Sequence, residues 1–480
     1  MNVPSRKLSL GRLGVALLAL SAWLPSQLRI GMCAPELPAT EQVRCEGSAC
    51  MRLDAARLTV VAFYRGRPEL LAGDVGYLDT LAHRYGDQGV QFVVVLATRD
   101  GPGAGLLDRC VLVDDGGLGE TEWCHLSPSE PCNLVAVDQD GVVVFVGAPG
   151  CGLQDMIERA LSDRSDPDYE ERVGRWRVQL AENYDDLASG PTIDLLAPMV
   201  EQSPRDGLLT GLLYLTYATK ADDLVAARAL RKRAITAMAD APRALAVFAD
   251  LALRGDPRRR EVWVDLLPAL ERVAPAALDD PLVQLALLRA RVADRDHRAA
   301  GRLAMTCRKV ACATAAGCLD FAMLLAQDEL PMVHRDLAES AVSRAKELGG
   351  DARLVAAARH IVALRCAEDG AAAAQLMDRY VLSQQELYSV NNDAWAFLTE
   401  LPTMGRYDWF AVGLVERLLE DPVAMDYFEF DTAALAMFLV GRLGDAIDLQ
   451  ESAIDQGGLQ EAAYLERLAR YEAYRKRSSR

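Results

Sequence analysis

Two kinds of hydrophobic pattern divide the chain near residue 166. Before that point, two short runs rich in β-branched residues, Leu58–Tyr64 and Val90–Leu96, are typical of strands that are covered on both faces. Apolar residues at spacings of three and four lie between them and predict a helix with one buried face. The order strand, helix, strand predicts a crossover unit with parallel strands.

The second half of this region predicts an antiparallel hairpin. Residues 133–138 (NLVAVD) and 142–146 (VVVFV) are apolar runs that flank the turn residues Gln139, Asp140 and Gly141. A helix over about residues 152–161 completes the unit. The sequence therefore predicts a small α/β domain over residues 51–165.

Beyond residue 166 the strand-like runs disappear, and alanine and leucine dominate residues 170–480. Glycine or proline recurs every 12 to 20 residues, which is typical of antiparallel helix hairpins. A triplet of small or apolar residues, with steps of four and then three, recurs after 38, 35, 38 and 35 residues. Its five copies are Ala300/Ala304/Cys307, Ala338/Val342/Ala345, Ala373/Met377/Tyr380, Ala411/Val415/Leu418 and Ala446/Gln450/Ala453.

The strongly negative net charge of the chain excludes some classes of function. The 480 residues include 69 acidic and 52 basic side chains, which gives a net charge of −17. Such a surface repels phosphate backbones, so a nucleic-acid-binding protein is excluded. Only five histidines occur and none forms an HExxH pair, which disfavours a zinc hydrolase. We found no nucleophile–base pair or phosphate-binding loop, so we expect no cofactor and no metal.

The first 30 residues predict a signal peptide. Basic residues precede an apolar run of twelve, Leu13 to Leu24, which is too short for a membrane anchor. We therefore expect an exported protein, periplasmic or extracellular, with no membrane span once the signal is removed. A buried amphipathic helix is the alternative. Lipidation at Cys33 is disfavoured because Met32 stands where a lipoprotein signal needs a small residue.

The cysteines favour an oxidising compartment. Residues 31–50 form a linker that carries Cys45 and Cys50. Apart from Cys33, six cysteines lie in the first third of the chain and four lie later, so each region has an even number and is expected to close its own disulfides. The ten are Cys45, Cys50, Cys110, Cys124, Cys132, Cys151, Cys307, Cys312, Cys318 and Cys366. The alternative of a metal site at Cys307, Cys312 and Cys318 matches no common zinc spacing.

The α/β region resembles the thioredoxin-like fold of the AhpC/TSA and peroxiredoxin type. Residues 63–66 (FYRG) are similar to the run that precedes the active cysteines of that family. Residues 131–141 (PCNLVAVDQDG) are similar to its hairpin. The resemblance implies that Pro131 is cis and lies against the redox centre.

The chain departs from this family at the reactive centre. Where the family has its active cysteine, at the start of a helix, this chain has residues 67–71 (RPELL), and no cysteine occurs between Cys50 and Cys110. A helix start lowers the pKa of a thiol, so the usual reactive thiolate is missing. The alternative is a displaced dithiol made from Cys124 and Cys132.

The helical region resembles the tetratricopeptide repeat, a two-helix unit with small residues where the helices cross. Residues 430–454 match best and place Gly441, Ala446 and Ala453 at signature positions. Trp395 and Phe430 are 35 residues apart, and each lies sixteen residues before the first member of a triplet. The sequence does not fix the repeat register of residues 170–300. An irregular helical array is the alternative to regular repeats.

Two functions follow from these patterns. The first is an exported scaffold in which a redox-degenerate thioredoxin-like domain is joined to repeats that bind a protein or peptide in their groove. The second is a thiol-disulfide oxidoreductase or peroxidase that uses the displaced cysteines Cys124 and Cys132. A hydrolase within the helical region lacks support.

Overall fold

The structure is a computed structural model that describes a defined set of residues. These are residues 34, 43–44, 56–64, 72–96, 111–114, 132–147, 152–162, 169, 172–173, 189–254, 259–327, 335–366, 368–384, 387–400, 403–456 and 462–478.

The first part of the chain forms a mixed six-stranded sheet with two helices. The elements are β1 Val43–Arg44, β2 Leu58–Tyr64, α1 Ala72–Tyr85, β3 Val90–Leu96, β4 Val111–Asp114, β5 Cys132–Asp138, β6 Val143–Gly147 and α2 Leu153–Leu161. The strand order is β1-β4-β3-β2-β5-β6. Strand β2 pairs with β3 in parallel and with β5 antiparallel, and β5 pairs with β6 antiparallel. The predicted parallel strands and hairpin are therefore present.

One face of this sheet is covered by the two helices. Valine and alanine side chains of the central strands are buried, as their unbroken apolar runs predict. Leu78, Leu81 and Tyr85 of α1 pack into the same core as Leu153 and Ile157 of α2. The predicted start of α1 at residues 67–71 lies outside the described residues, because the helix is described from Ala72.

Every element described between residues 189 and 478 is helical. The helices are α3 Ser189–Gln202, α4 Gly207–Leu215, α5 Leu224–Ala237, α6 Pro242–Arg254, α7 Arg259–Val273, α8 Pro281–Ala293, α9 His297–Ala311, α10 Ala315–Gln327, α11 Arg335–Glu347, α12 Ala352–Ile361, α13 Gly370–Ser383, α14 Leu387–Thr399, α15 Asp408–Leu418, α16 Tyr427–Leu439, α17 Leu443–Asp455 and α18 Ala462–Ser478. No helix of the described residues is long and apolar enough to cross a membrane.

The helices form seven hairpins, from α4/α5 to α16/α17, with α3 before them and α18 after them. We call α4, α6, α8, α10, α12, α14 and α16 the first helices, and their partners the second helices. Each first helix packs on its own second helix, and α6, α8 and α10 pack side by side. A first helix is covered on most sides, and in α16 every residue from Glu429 to Met437 is buried.

The five predicted triplets all lie on second helices, and all fifteen side chains are buried. The structure extends this pattern to the region whose register the sequence left open. Ala227/Arg231/Ala234 on α5 and Val262/Leu266/Ala269 on α7 have the same spacing and are buried as well. Arg231 is accommodated because its guanidinium bonds Asp265 of α7 at 2.6 Å. The triplet is thus the surface through which each second helix packs.

Aspartate caps define where many of these helices begin. The side chain of Asp206 accepts a hydrogen bond from the backbone N–H of Leu209, and Asp223 does the same for Ala226. Asp280, Asp296, Asp351 and Asp369 cap four later helices in this way. Negative charge at a helix N-terminus is favourable, so part of the large acidic excess serves to start helices.

Gly207 permits the closest approach between first helices. A Cβ at this position would lie 2.2 Å from the carbonyl oxygen of Ala244 in α6, and backbone cannot yield easily. We expect Gly207→Ala to lower the free energy of unfolding by about 1–3 kcal/mol through overpacking. Gly444→Ala on α17 meets nothing within 4 Å, so it should raise stability by up to about 1 kcal/mol. Urea denaturation of both variants measures their free energies of unfolding. Equal changes in Gly207→Ala and Gly444→Ala would contradict the close helix contact at Gly207.

Candidate partner-binding face of the helical array

Polar side chains interrupt the apolar first helices along one face. Asp250 of α6, Arg289 of α8 and Asp320 of α10 belong to three helices that pack side by side, and each remains partly exposed. Arg289 forms an ion pair with Asp250. We call the face that carries these three residues the inner face.

A side chain from a distant hairpin lies on the inner face. Arg406, in the connection between α14 and α15, donates to Asp250 Oδ2 at 2.9 Å and also bonds Asp320 Oδ1. These partners precede Arg406 by 156 and 86 residues. Arg406 therefore links hairpins two, four and six of the array.

The two carboxylates keep Arg406 charged in a buried setting. Burial by itself lowers the pKa of the guanidinium, but the adjacent Asp250 and Asp320 outweigh it and hold the pKa above its usual value. The Arg406 side chain is only 11% exposed. Removing this guanidinium would be costly, because it would leave two carboxylates without the cation that lies between them.

The connection that carries Arg406 has a defined conformation, and we call residues 403–407 the Arg406 loop. The Thr403 hydroxyl donates to the Ala396 carbonyl at 2.8 Å, and the Gly405 N–H donates to Asp408 Oδ1 at 3.0 Å. Gly405 has a φ of 71°, a left-handed conformation that glycine adopts without strain. Met404 packs on the hydrophobic core of the early hairpins, while Tyr407 is buried among the later ones.

These contacts show that the row of first helices curves. A single loop reaches α6 and α10 only if the inner face is the concave side of the array. The ends of the array also approach each other, because the Ser189 N–H at the start of α3 donates to Glu466 Oε1 of α18 at 3.0 Å. The inner face is thus partly enclosed by the chain itself.

A second buried charge cluster joins the last three helices. Arg467 of α18 bonds both carboxylate oxygens of Asp431 at 2.9 and 2.7 Å, and Gln450 donates to Asp431 at 2.8 Å. The Arg467 guanidinium also lies 5.4 Å from the centre of the Trp395 ring. Trp395 is half-buried by this contact, and Phe430 is buried.

The remaining predicted repeat residues lie in the last hairpin. Ala446 and Ala453 are fully buried on α17, with Gln450 between them. Gly441 lies in the connection that precedes α17 and has a φ of 83°, so its role is conformational. None of these residues contributes to the inner face.

Charged residues join the α/β unit to the start of the helical array. Arg205, between α3 and α4, bonds Glu158 Oε2 of α2 at 2.6 Å, and its N–H donates to Asp155 at 2.8 Å. Arg84 of α1 bonds Asp240 at 2.8 Å. Burial raises the pKa of Asp155 to about 6, although the Arg205 backbone and side chain oppose that shift.

The four later cysteines are free thiols, so the expectation of disulfides among them is wrong. Cys307 faces the Gln284 carbonyl at 3.2 Å, whereas Cys366 lies near the Leu325 carbonyl at 3.9 Å, so the two belong to separate layers. Cys312 and Cys318 are in hydrogen-bond contact, which lowers the pKa of Cys312. Burial raises the pKa of Cys307 to about 12.

The predicted redox residues are only partly described. Cys132 begins β5, and its backbone pairs with Tyr64 at the end of β2. Cys124 and Pro131 lie outside the described residues, as do the other four cysteines of residues 45–151 and the signal segment. Among the described residues, no group of three or more histidine, cysteine or acidic side chains is placed to hold a metal ion.

The buried Asp155 generates a pH-dependent prediction. Its pKa rises from 3.8 to about 6 on folding, so its titration favours the folded state below pH 3.8 and this advantage is lost as the pH rises through 6. Asparagine does not titrate. We expect the free energy of unfolding of Asp155→Asn, minus that of the wild type, to increase by up to about 3 kcal/mol from pH 4 to pH 7.

Urea denaturation at the two pH values measures this difference. Asp155→Ala serves as the matched control, because it also removes the titrating group but loses the hydrogen bond to Arg205. It should be less stable than Asp155→Asn at each pH and show the same trend relative to the wild type. A difference that does not change with pH would contradict the assignment.

Comparison with known proteins gives no family for this chain. No protein-family model matches the sequence, and no curated protein matches it. One solved structure with a local likeness is described as "Crystal structure of APC/C hetero-tetramer Cut9-Hcn1". The identity is 15% over 68% of this chain and 70% of that chain, with a TM-score of 0.22. A TM-score this low does not establish a shared fold, so the repeat architecture rests on the helix order, the buried triplets and the inner face described above.

Proposed function

We propose that this protein is a protein-interaction scaffold whose tetratricopeptide-like hairpins bind an extended segment of a partner on the inner face. The observation that carries the proposal is the row formed by α6, α8 and α10. It presents paired charges on its concave side and already holds one segment of chain, the Arg406 loop, through the Arg406 side chain. Concave faces of stacked helix hairpins are suited to such binding because each hairpin adds a contact along the segment.

We further propose that the α/β unit is a thioredoxin-like module without redox activity. The parallel β2/β3 pair, the antiparallel β5/β6 hairpin and the placement of β2 in the centre of the sheet support this assignment. The absence of cysteine between Cys50 and Cys110 supports the loss of activity. A cis Pro131 and export by the signal segment belong to the same proposal and rest on the sequence.

The second candidate function is a thiol-disulfide oxidoreductase with displaced cysteines. One observation favours it: Cys132 pairs with Tyr64, so its backbone lies at the end of β2, next to where the family's reactive helix begins. Its proposed partner thiol is Cys124. The free thiols of the helical array are not part of this candidate, because they lie on helices far along the chain from Cys132.

Site-specific photo-crosslinking tests the scaffold function. A photoreactive residue placed at Ala316 lies on the face of α10 that carries Asp320, one helical turn earlier, and Ala316 is exposed. In native extract, the full chain should give discrete protein adducts from this position. The same residue at Met305, which is 52% exposed on α9, serves as the matched control and should give none. Adducts from Met305 alone would refute binding on the inner face.

A redox assay decides between the two candidates. We expect background rates of insulin reduction and peroxide consumption from the full chain, because the sequence has no cysteine at residues 67–71, where the family's reactive thiolate would lie. Cys132→Ser should leave those rates unchanged. Turnover well above background that disappears in Cys132→Ser, and persists in Cys366→Ser, would instead establish the oxidoreductase.

A further inference from the structure

We infer that the Asp250–Asp320 pair is a recognition site for an arginine of the partner segment, and that Arg406 is a self-ligand that occupies it. This inference rests on the proposed scaffold function and names the chemistry of the segment that the inner face binds. The geometry that carries it is one guanidinium held between carboxylates of two helices, delivered by a loop from a distant hairpin.

The site has the form that guanidinium recognition requires. Arg406 presents Nη2 to Asp250 and Nη1 to Asp320, so each carboxylate takes a different nitrogen of the planar fork. A lysine ammonium is a compact point charge whose donors share one nitrogen, so it matches two acceptors set apart in this way less well than the planar fork does. The site therefore selects arginine over lysine.

The two carboxylates of the Asp250–Asp320 pair also require a cation between them. Asp250 has a resident partner, Arg289 of α8, whereas the ion-pair partner of Asp320 is Arg406. Departure of Arg406 would remove the guanidinium that lies between the carboxylates of Asp250 and Asp320 on a largely buried surface, which is costly. A segment that brings another arginine restores the balance, and the net charge of −17 attracts such a segment.

The present occupant is a loop, and this makes exchange feasible. The first helices need their neighbours to stay buried, whereas the Arg406 loop joins the two helices of hairpin six and contributes Met404 to a core as a partly buried side chain. Because the loop is tethered, its local concentration competes with an external segment and weakens binding of that segment to the wild type. The loop thus acts as an internal competitor.

The test uses a labelled synthetic peptide of residues 399–408 (TELPTMGRYD) and the full-length chain. Fluorescence anisotropy should show the peptide binding to Arg406→Ala at least tenfold more tightly than to the wild type, because the internal competitor is gone. A peptide with Arg406→Ala should not bind, and one with Arg406→Lys should bind at least tenfold more weakly than the natural peptide.

Variants of the Asp250–Asp320 pair complete the experiment. Asp320→Asn in the Arg406→Ala background should abolish peptide binding, whereas Asp336→Asn, on second helix α11, is the matched control and should leave it unchanged. If Arg406→Ala does not fold by circular dichroism, Arg406→Lys replaces it as the host, and the same ranking of peptides is expected.

Two results would overturn the inference. The first is no binding of the peptide to a folded Arg406 variant, and the second is binding that does not depend on Asp320. In either case adducts from Ala316 in the crosslinking experiment would still support the scaffold function. Failure of the recognition site and failure of the scaffold are therefore distinguished.

Discussion

The structure depends on the burial of the first helices, which are apolar on most of their surface and need neighbours on several sides. Helix α16, buried from Glu429 to Met437, shows the requirement most clearly. No single hairpin meets it, because one partner helix covers only one face. Stacking covers the remaining faces, and the buried triplets of the second helices allow their backbones to approach closely. Each hairpin of the array therefore depends on its neighbours for the burial of its first helix.

Two charge clusters pair side chains across helices inside this apolar stack. Arg467 with Asp431, and Arg406 with Asp250 and Asp320, each connect elements that are distant in sequence. Buried ion pairs add little net stability compared with apolar packing, but a wrong arrangement leaves an uncompensated charge. Such pairs therefore constrain how the helices are arranged, and the same geometry underlies the preference for arginine that we infer for the Asp250–Asp320 pair.

The α/β unit meets the array through a polar junction. Arg205, Arg84 and their carboxylate partners lie between α1, α2 and the first hairpins. The edge of the sheet where β2 ends, with Cys132 at the start of β5, is a separate part of the unit. The inner face and the end of the sheet at Cys132 are thus separate parts of the structure.

The sequence by itself determined the elements and much of their packing. Unbroken β-branched runs gave the strands, and the four-then-three spacing marked the buried face of five second helices, because both signals are local. It could not reveal the two earlier triplets, since Arg231 and the larger Val262 and Leu266 hide the small-residue pattern. The even number of cysteines after residue 300 also did not predict that their thiols are free, because disulfide formation depends on where the tertiary structure places each side chain. Only the tertiary structure decided that Arg406 meets Asp250 and Asp320: the curvature that brings them together is the sum of small rotations over many hairpins, and no local pattern encodes that sum.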